Sequence, residues 1–485
     1  MQARASGILL PVFSLPGPYG IGTLGKPARQ FIDFLAAGGQ KFWQILPLVP
    51  PGGGNSPYMS PSSFAGNPLF LDLDELAEEG LLTQDELRSA CRDNPDRVDY
   101  AWLHETRLPL LRKAFERGRA KYAAQLKEFE EQEGDWLPDY ALFLALREHF
   151  GGKELADWPD EVRLRQPKAM EQYRVELAEE CAFQVFLQYL FFRQWKAVKT
   201  YANSKGVSII GDLPIYVSPD SAEVWGNPEL FQLKKDMRPS GVAGVPPDAF
   251  SDKGQHWGNP LYDWDYHKKT DFAWWKRRGA HMARLYDVVR IDHFRAFHTY
   301  WSIPEDAKDA REGHWEKGPG NALLDVLKKA EDLGDLDADA LAFIAQSGLP
   351  GMKVLVYAFD PVGESAYLPH NCPRDAVMYT GTHDTPTFVQ WLFTEANPDE
   401  RQYAFDYLRL REDEGFGWGA VCGAWMSPCR LAIAPFQDLL GLGGDARVNA
   451  PGTLGDQNWS WRVRADALNP TVSGKLAGIT RTYRR

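Results

Sequence analysis

The sequence predicts an α/β fold: a (β/α)8 TIM-type barrel with helical insertions. Three observations carry this. Apolar, strand-like runs recur along the chain and end in polar or acidic residues. Helical patterns lie between most of them, as expected of parallel strands joined by crossovers. The length of 485 residues is far more than one small core needs and allows two or three domains or one large barrel with insertions.

The first strand is read in the N-terminal run ending at Pro11. That run leads into a Pro/Gly turn and lacks a cleavage-site pattern, so it is not read as a signal peptide. ARQFIDFLAAGG follows as a helix. GQKFWQILPL (39–48) is the next strand and opens into the loop PPGGGNSPYMSPSSFAGNP. Residues 74 to about 200 break the alternation with charged, amphipathic segments such as DYALFLALREHF. They are read as a helical subdomain inserted into a single barrel domain spanning 1–485. VSIIGDLPIYV (207–217) carries Asp212, and VVRIDHFRAF (288–297) carries Arg290 and Asp292. MKVLVYAFD (352–360) ends in Asp360, DAVMYTGTHD in His383 and Asp384, and RLAIAPFQDLL (430–440) carries Gln437 and Asp438. WGNP, at 225–228 and 257–260, is read as two similar loop turns. The Gly- and Pro-rich segment 239–257 is a candidate lid.

Composition excludes several classes of function. Hydrophobic residues make up 44% and charged residues 25%, the balance of an ordinary globular protein. The net charge of −12, without a basic stripe, argues against nucleic acid as partner. No apolar stretch approaches membrane-spanning length. Five scattered cysteines fit a reducing cytoplasm, with no disulfide framework. Neither the cysteines nor the ten histidines show metal-ligand spacing, so no metal or cofactor is expected. Gly20–Gly25 fits G-x-G-x-x-G but follows a loop and lacks the acidic residue of a dinucleotide site. Trp (17), Tyr (19) and Phe (26) are abundant; aromatic faces suit sugar rings, and they also simply fill cores.

Chemistry is most legible around Arg290 and Asp292. With the period of a strand, the two project to one face. A guanidinium beside a carboxylate favours the ionised form, as a nucleophile in sugar chemistry needs. A purely structural ion pair at a strand end is the competing reading.

The residues then match a family. SLPGPYGIGTLG, WQILPL, GNSPYMSPSSFAGNP, IIGDLPIYVSPDSAEVW, VAGVPPDAFSDKGQHWGNPLYDWD, VRIDHFRAF, EDLG, PGMKVL, YLPHN, YTGTHD, QDLLGLG and NWSWR occur in order. On these the chain resembles the 4-α-glucanotransferases (amylomaltase or disproportionating enzyme) over nearly its full length. The resemblance implies retaining transfer of α-1,4-glucan segments from a donor maltooligosaccharide to the 4-hydroxyl of another glucan or glucose. Asp292 would be the nucleophile, Glu331 the general acid/base, and Asp384 the group favouring the oxocarbenium-like transition state. Arg290 would keep Asp292 ionised. His293 and His383 would donate hydrogen bonds to sugar; Ser56, Tyr58, Asp212, Gln255 and Asn458 would be substrate contacts, and Trp257 a stacking platform. Oligomeric state is left open. The chain departs from the family at Gly53, where many members carry tyrosine, and at Thr385-Pro386, where many read Asn-Asp.

A third departure concerns Glu331. NALLDVLKKA has a helical pattern and runs directly into EDLG, so the barrel strand before Glu331 is expected to be missing. A ten-residue helix descends about 15 Å and a five-residue strand climbs about 17 Å, so without that strand Glu331 would lie more than about 10 Å from Asp292. Alternatively ALLDVL is itself the strand, or a segment between two AEDLG-like stretches has been lost. Two other functions follow from these features: a catalytically impaired glucan-binding homologue, motivated by the missing strand, and an α-amylase-type hydrolase sharing the carboxylate chemistry.

Overall fold

The computed structural model describes residues 4–92, 96–248, 251–324 and 349–485. Its main sheet is built from β1 (Ala5–Leu9), β2 (Phe42–Gln44), β3 (Ser208–Leu213), β6 (Val288–Ile291), β9 (Gly351–Val354), β10 (Ala376–Tyr379) and β11 (Leu431–Pro435). These seven strands lie in the order β6-β3-β2-β1-β11-β10-β9, and every pairing is parallel. Parallel neighbours need crossovers, which the intervening helices supply. This is the (β/α)8-barrel type of architecture that the alternation predicts. The strands are short and apolar, with Ile8, Trp43, Ile209, Met378 and Ile433 buried, as expected for strands covered on both faces.

Each predicted strand of the main sheet is present, with some ends shifted. β9 stops at Val354 and continues as a tight turn over Leu355–Tyr357. Asp360 therefore does not end a strand; its Oδ1 accepts from the Val362 amide in an exposed turn. β11 ends at Pro435, and Gln437 and Asp438 sit in the short helix Phe436–Leu439. Glu331 and the strand expected to be missing before it fall within 325–348, outside the described residues. Asn321–Leu324 is helical, in keeping with the helical pattern at the start of NALLDVLKKA.

From Leu73 to Ser204 the described structure is helical, as read from the sequence. The longest helix, Ala178–Ser204, leads into β3 and buries Phe186, Leu190, Phe191 and Trp195. Two of its amides clamp the segment that follows the loop after β2. Gln188 pairs with both the N–H and the C=O of Gly66, and Gln194 accepts from the Asp72 amide. That segment is thereby held against the barrel without strand pairing.

A four-stranded antiparallel sheet went unread in the sequence. It consists of β4 (Gly241–Val245), β5 (Gln255–Pro260), β7 (Thr299–Pro304) and β8 (His314–Lys317), in the order β5-β4-β7-β8. The candidate lid at 239–257 thus contains β4 and the start of β5, and β4 is paired to β7. The second WGNP is part of β5, and only the first is a helix-end turn. Glycine, proline and histidine within these strands mask their alternation. The G-x-G-x-x-G stretch also has a structural purpose. A Cβ at Gly25 would stand 2.2 Å from the Asp72 carboxylate, which packs where a phosphate would have to approach. No helix among the described residues is long and apolar enough to cross a membrane.

Gly211 sits in β3, one residue before Asp212, and a Cβ there would lie 2.1 Å from the Tyr286 ring. That ring is buried and cannot swing clear into solvent. Gly211→Ala is expected to destabilise the fold by about 1–3 kcal/mol through overpacking. Urea denaturation checks this; an unchanged midpoint would mean that the ring yields freely.

Candidate active site

The carboxyl ends of the strands carry the residues singled out above. Arg290, in β6, is paired in register with Asp212 of β3. Its side chain is only 5% exposed and fills the space between two carboxylates. One terminal nitrogen donates to Asp212 Oδ2 at 2.5 Å, the other to Asp292 Oδ1 at 3.0 Å. The two acids differ in access. Asp292, just past β6, keeps 29% of its side chain exposed, whereas that of Asp212 is fully buried. Burial, reinforced by the Asp292 charge and opposed by Arg290, raises the Asp212 pKa. Asp212, expected to meet substrate, therefore lies behind the open cleft, where it anchors Arg290.

Tyr58 extends the network. Its hydroxyl donates to Asp212 Oδ2 at 2.6 Å and lies 2.9 Å from His383 Nε2. The hydroxyl has one proton, given to Asp212, so His383 must donate from Nε2. That nitrogen is also 3.0 Å from Asp384 Oδ2. Tyr58 and His383 stack at 5.5 Å with an 11° interplanar angle, and Trp459 packs against both. Burial, with the neighbouring Asp212 charge, holds the Tyr58 hydroxyl protonated.

Asp384 projects from the loop after β10. Thr385 closes that loop by accepting from the Thr382 amide at 2.9 Å, so the departure at Thr385 leaves a tight turn in place. Asn449 donates to Asp384 Oδ1 at 2.6 Å, and Arg447 to the Asp384 carbonyl at 2.7 Å. Burial alone would raise the Asp384 pKa; His383, Asn449 and Arg290 together hold it down to about 2. Below the loop, Asp438 accepts from Thr380 Oγ1 at 2.5 Å and from the Phe388 amide at 2.8 Å. Burial outweighs these hydrogen bonds and pushes Asp438 up to about 6.

The opposite wall comes from β5 and the turn after β6. Trp257 lies edge-on to His293 at 4.9 Å, and its indole N–H donates to Gln255 Oε1 at 3.1 Å. His293 adopts a left-handed backbone (φ 47°), and burial lowers its pKa to about 4, so the ring is neutral at pH 7. Two expected contacts also make hydrogen bonds within their own loops. Ser56 Oγ accepts from the Tyr58 amide. The Asn458 side chain accepts from Ala450 and donates to Thr453, bracing its own loop. Asn449 and Arg447 were not singled out in the sequence; Asp438 was, as a strand-end acid, but without a role. Asn449 stands in VNAPG, where an asparagine reads as an ordinary turn residue.

Six links thus join Asp292, Arg290, Asp212, Tyr58, His383, Asp384 and Asn449 across the mouth of the barrel. Its members come from β3 and β6 and from the connections after β2, β10 and β11. Two half-exposed carboxylates, Asp292 and Asp384, sit at opposite arms of one rigid polar frame. No group of His, Cys, Asp or Glu among the described residues is arranged to hold a metal ion.

The chain is similar to known proteins over nearly its whole length. The family described as 4-alpha-glucanotransferase matches residues 10–468. The 4-alpha-glucanotransferase of Clostridium butyricum is 44% identical over 484 residues, covering 98% of this chain and 99% of that protein. That of Thermus thermophilus is 44% identical over 501 residues, covering 99% of both. The solved structure of amylomaltase from Streptococcus agalactiae in complex with acarbose superposes with a TM-score of 0.96 at 42% identity, covering 99% of each chain.

Asp438 makes stability depend on pH in an unusual direction. Its pKa rises on folding, so the folded state holds a proton that the unfolded chain releases near pH 4. Its contribution is fully present below that point and is lost as pH rises through about 6, a change of about 3 kcal/mol. Asp438→Asn is expected to flatten this slope between pH 4 and 7, measured by denaturant titration at several pH values. Parallel curves for the two proteins would contradict the assignment.

Proposed function

Since the chain belongs to the 4-α-glucanotransferase family, we propose that it transfers α-1,4-glucan segments between maltooligosaccharides with retention, through a covalent glycosyl-enzyme. The observation that carries this reading is the shared guanidinium: Arg290 fixes Asp292 at the open side of the cleft and holds Asp212 behind it. Asp292 attacks the anomeric carbon of the donor, and the glycosidic C–O bond breaks as the ester forms. The departing 4-hydroxyl takes a proton from Glu331, whose role rests on the family motif EDLG. In the second step Glu331 accepts the proton of an acceptor 4-hydroxyl, which displaces Asp292 from the anomeric carbon and restores the free enzyme.

Asp384 binds sugar hydroxyls and gains strength as positive charge develops at the ring. A carboxylate with a pKa near 2 stays ionised throughout ordinary working pH, which suits that task. His383, Tyr58, His293 and Gln255 supply polar contacts along the cleft, and Trp257 offers an aromatic face. Ser56 and Asn458 act on the substrate through the loops they brace. No cofactor or metal takes part. The helical segment at about 74–200 is an insertion into one catalytic barrel domain. Five free cysteines support residence in the cytoplasm.

Two other readings have less support. The hydrolase is disfavoured because full-length relatives at 44% identity are named transferases. The impaired homologue draws its motive from residues 325–348, whereas the family match spans 10–468.

Maltotriose supplied alone tests the proposal. The expected products are glucose and longer maltooligosaccharides at constant reducing-end concentration, with Asp292→Asn lowering the rate by about a thousandfold or more. A steady rise in reducing ends would assign a hydrolase. Binding without turnover by the unmodified chain would assign the impaired homologue.

A further inference from the structure

We infer that Asn449 is the positioning residue of the reaction, setting the orientation of the Asp384 carboxylate through a neutral amide that only a proton-donating side chain can replace. The inference rests on the role given to Asp384 above. It starts from how residues 447–449 are fastened to the loop after β10. The Asn449 amide N–H donates to the His383 carbonyl at 3.0 Å, and its side chain to Asp384 Oδ1 at 2.6 Å. Arg447 spans the same two segments, donating to the Asp384 carbonyl at 2.7 Å and, from Nε, to the Asn449 carbonyl at 2.7 Å. Main chain and side chain are therefore fixed separately.

The other carboxylate oxygen, Oδ2, faces His383 Nε2. With one partner on each oxygen, rotation about the Cβ–Cγ bond is blocked, while 39% of the side chain stays open to the cleft. An amide is well suited to the Oδ1 side. It donates without adding charge, whereas a lysine or arginine there would weaken the pull of Asp384 on a developing cation. Around this pair the charged and titratable groups are His383 and Tyr58 on one side, Arg290 beneath, and Arg447, Glu395 and Tyr357 on the other.

Asn449→Asp converts the donor into a second carboxyl at the same distance. Two carboxyls this close share a proton rather than both ionise. When protonated, the new side chain can donate to Asp384 as the amide does; when ionised it repels. Rates of maltotriose disproportionation are compared for wild type, Asn449→Asp and Asn449→Ala from pH 5 to pH 8. The ratio of wild-type to Asn449→Asp kcat is expected to grow at least about tenfold across this range. For Asn449→Ala the expected result is a pH-independent fall in kcat of about 10- to 100-fold, with KM within about threefold. Identical pH-independent ratios for both variants, or unchanged kcat in Asn449→Ala, overturn the inference. Should Asn449→Asp fail to fold, judged by circular dichroism, Asn449→Ala alone decides by its split between kcat and KM. An inactive wild type would instead refute the functional reading, which separates the two failures.

Discussion

One guanidinium, Arg290, is held between two carboxylates by the register of two adjacent parallel strands. Strand β3 places Asp212 beside Arg290, and period two along β6 places Asp292 on the same face. A buried cation needs compensating charge, and a single carboxylate would leave part of its planar fork unpaired. The second carboxylate takes the other terminal nitrogen and is pinned at the cleft in the process. A lysine would offer one point charge in place of two diverging N–H groups.

The remainder of the site follows from that arrangement. Asp212 has a second claim on Oδ2, the Tyr58 hydroxyl, and this determines which way the proton on Tyr58 points. His383 Nε2 lies within reach of both the Tyr58 hydroxyl and Asp384 Oδ2, so its single N–H ties Asp384 to this arm. Loops that would otherwise be mobile are stiffened from behind: Gln188 and Gln194 hold the segment after β2, and Asp438 ties together Thr380 and Phe388. The barrel supplies direction, since every strand of the main sheet delivers its carboxyl end to the same mouth. The polar chain supplies orientation.

Much of this was legible in the sequence, and the limits have physical causes. Strand positions, intervening helices and the Arg290–Asp292 pair follow from local periodicity. Asp212 was singled out, but its partnership with Arg290 was not, because the two are 78 positions apart and only tertiary register joins them. Its side chain is fully buried behind Arg290 and Tyr58. Asn449 and Arg447 escaped notice because turn asparagines and surface arginines are common and carry no spacing signal. Of the antiparallel sheet only the β4–β5 segment was read, as a lid and a turn, since glycine and proline there conceal a strand pattern. Ser56 and Asn458, matched by motif, each also hydrogen-bond within their own loops.

The central claim is that bidentate geometry at Arg290, and not charge alone, organises the site. Arg290→Lys preserves the charge and removes the fork. The most direct measurement is the rate of maltotriose disproportionation by this variant, with folding verified by circular dichroism. The account predicts a loss of at least about a hundredfold in kcat, because Asp292 and the Tyr58–His383 arm lose their common anchor. A folded Arg290→Lys protein within about threefold of wild type would contradict it.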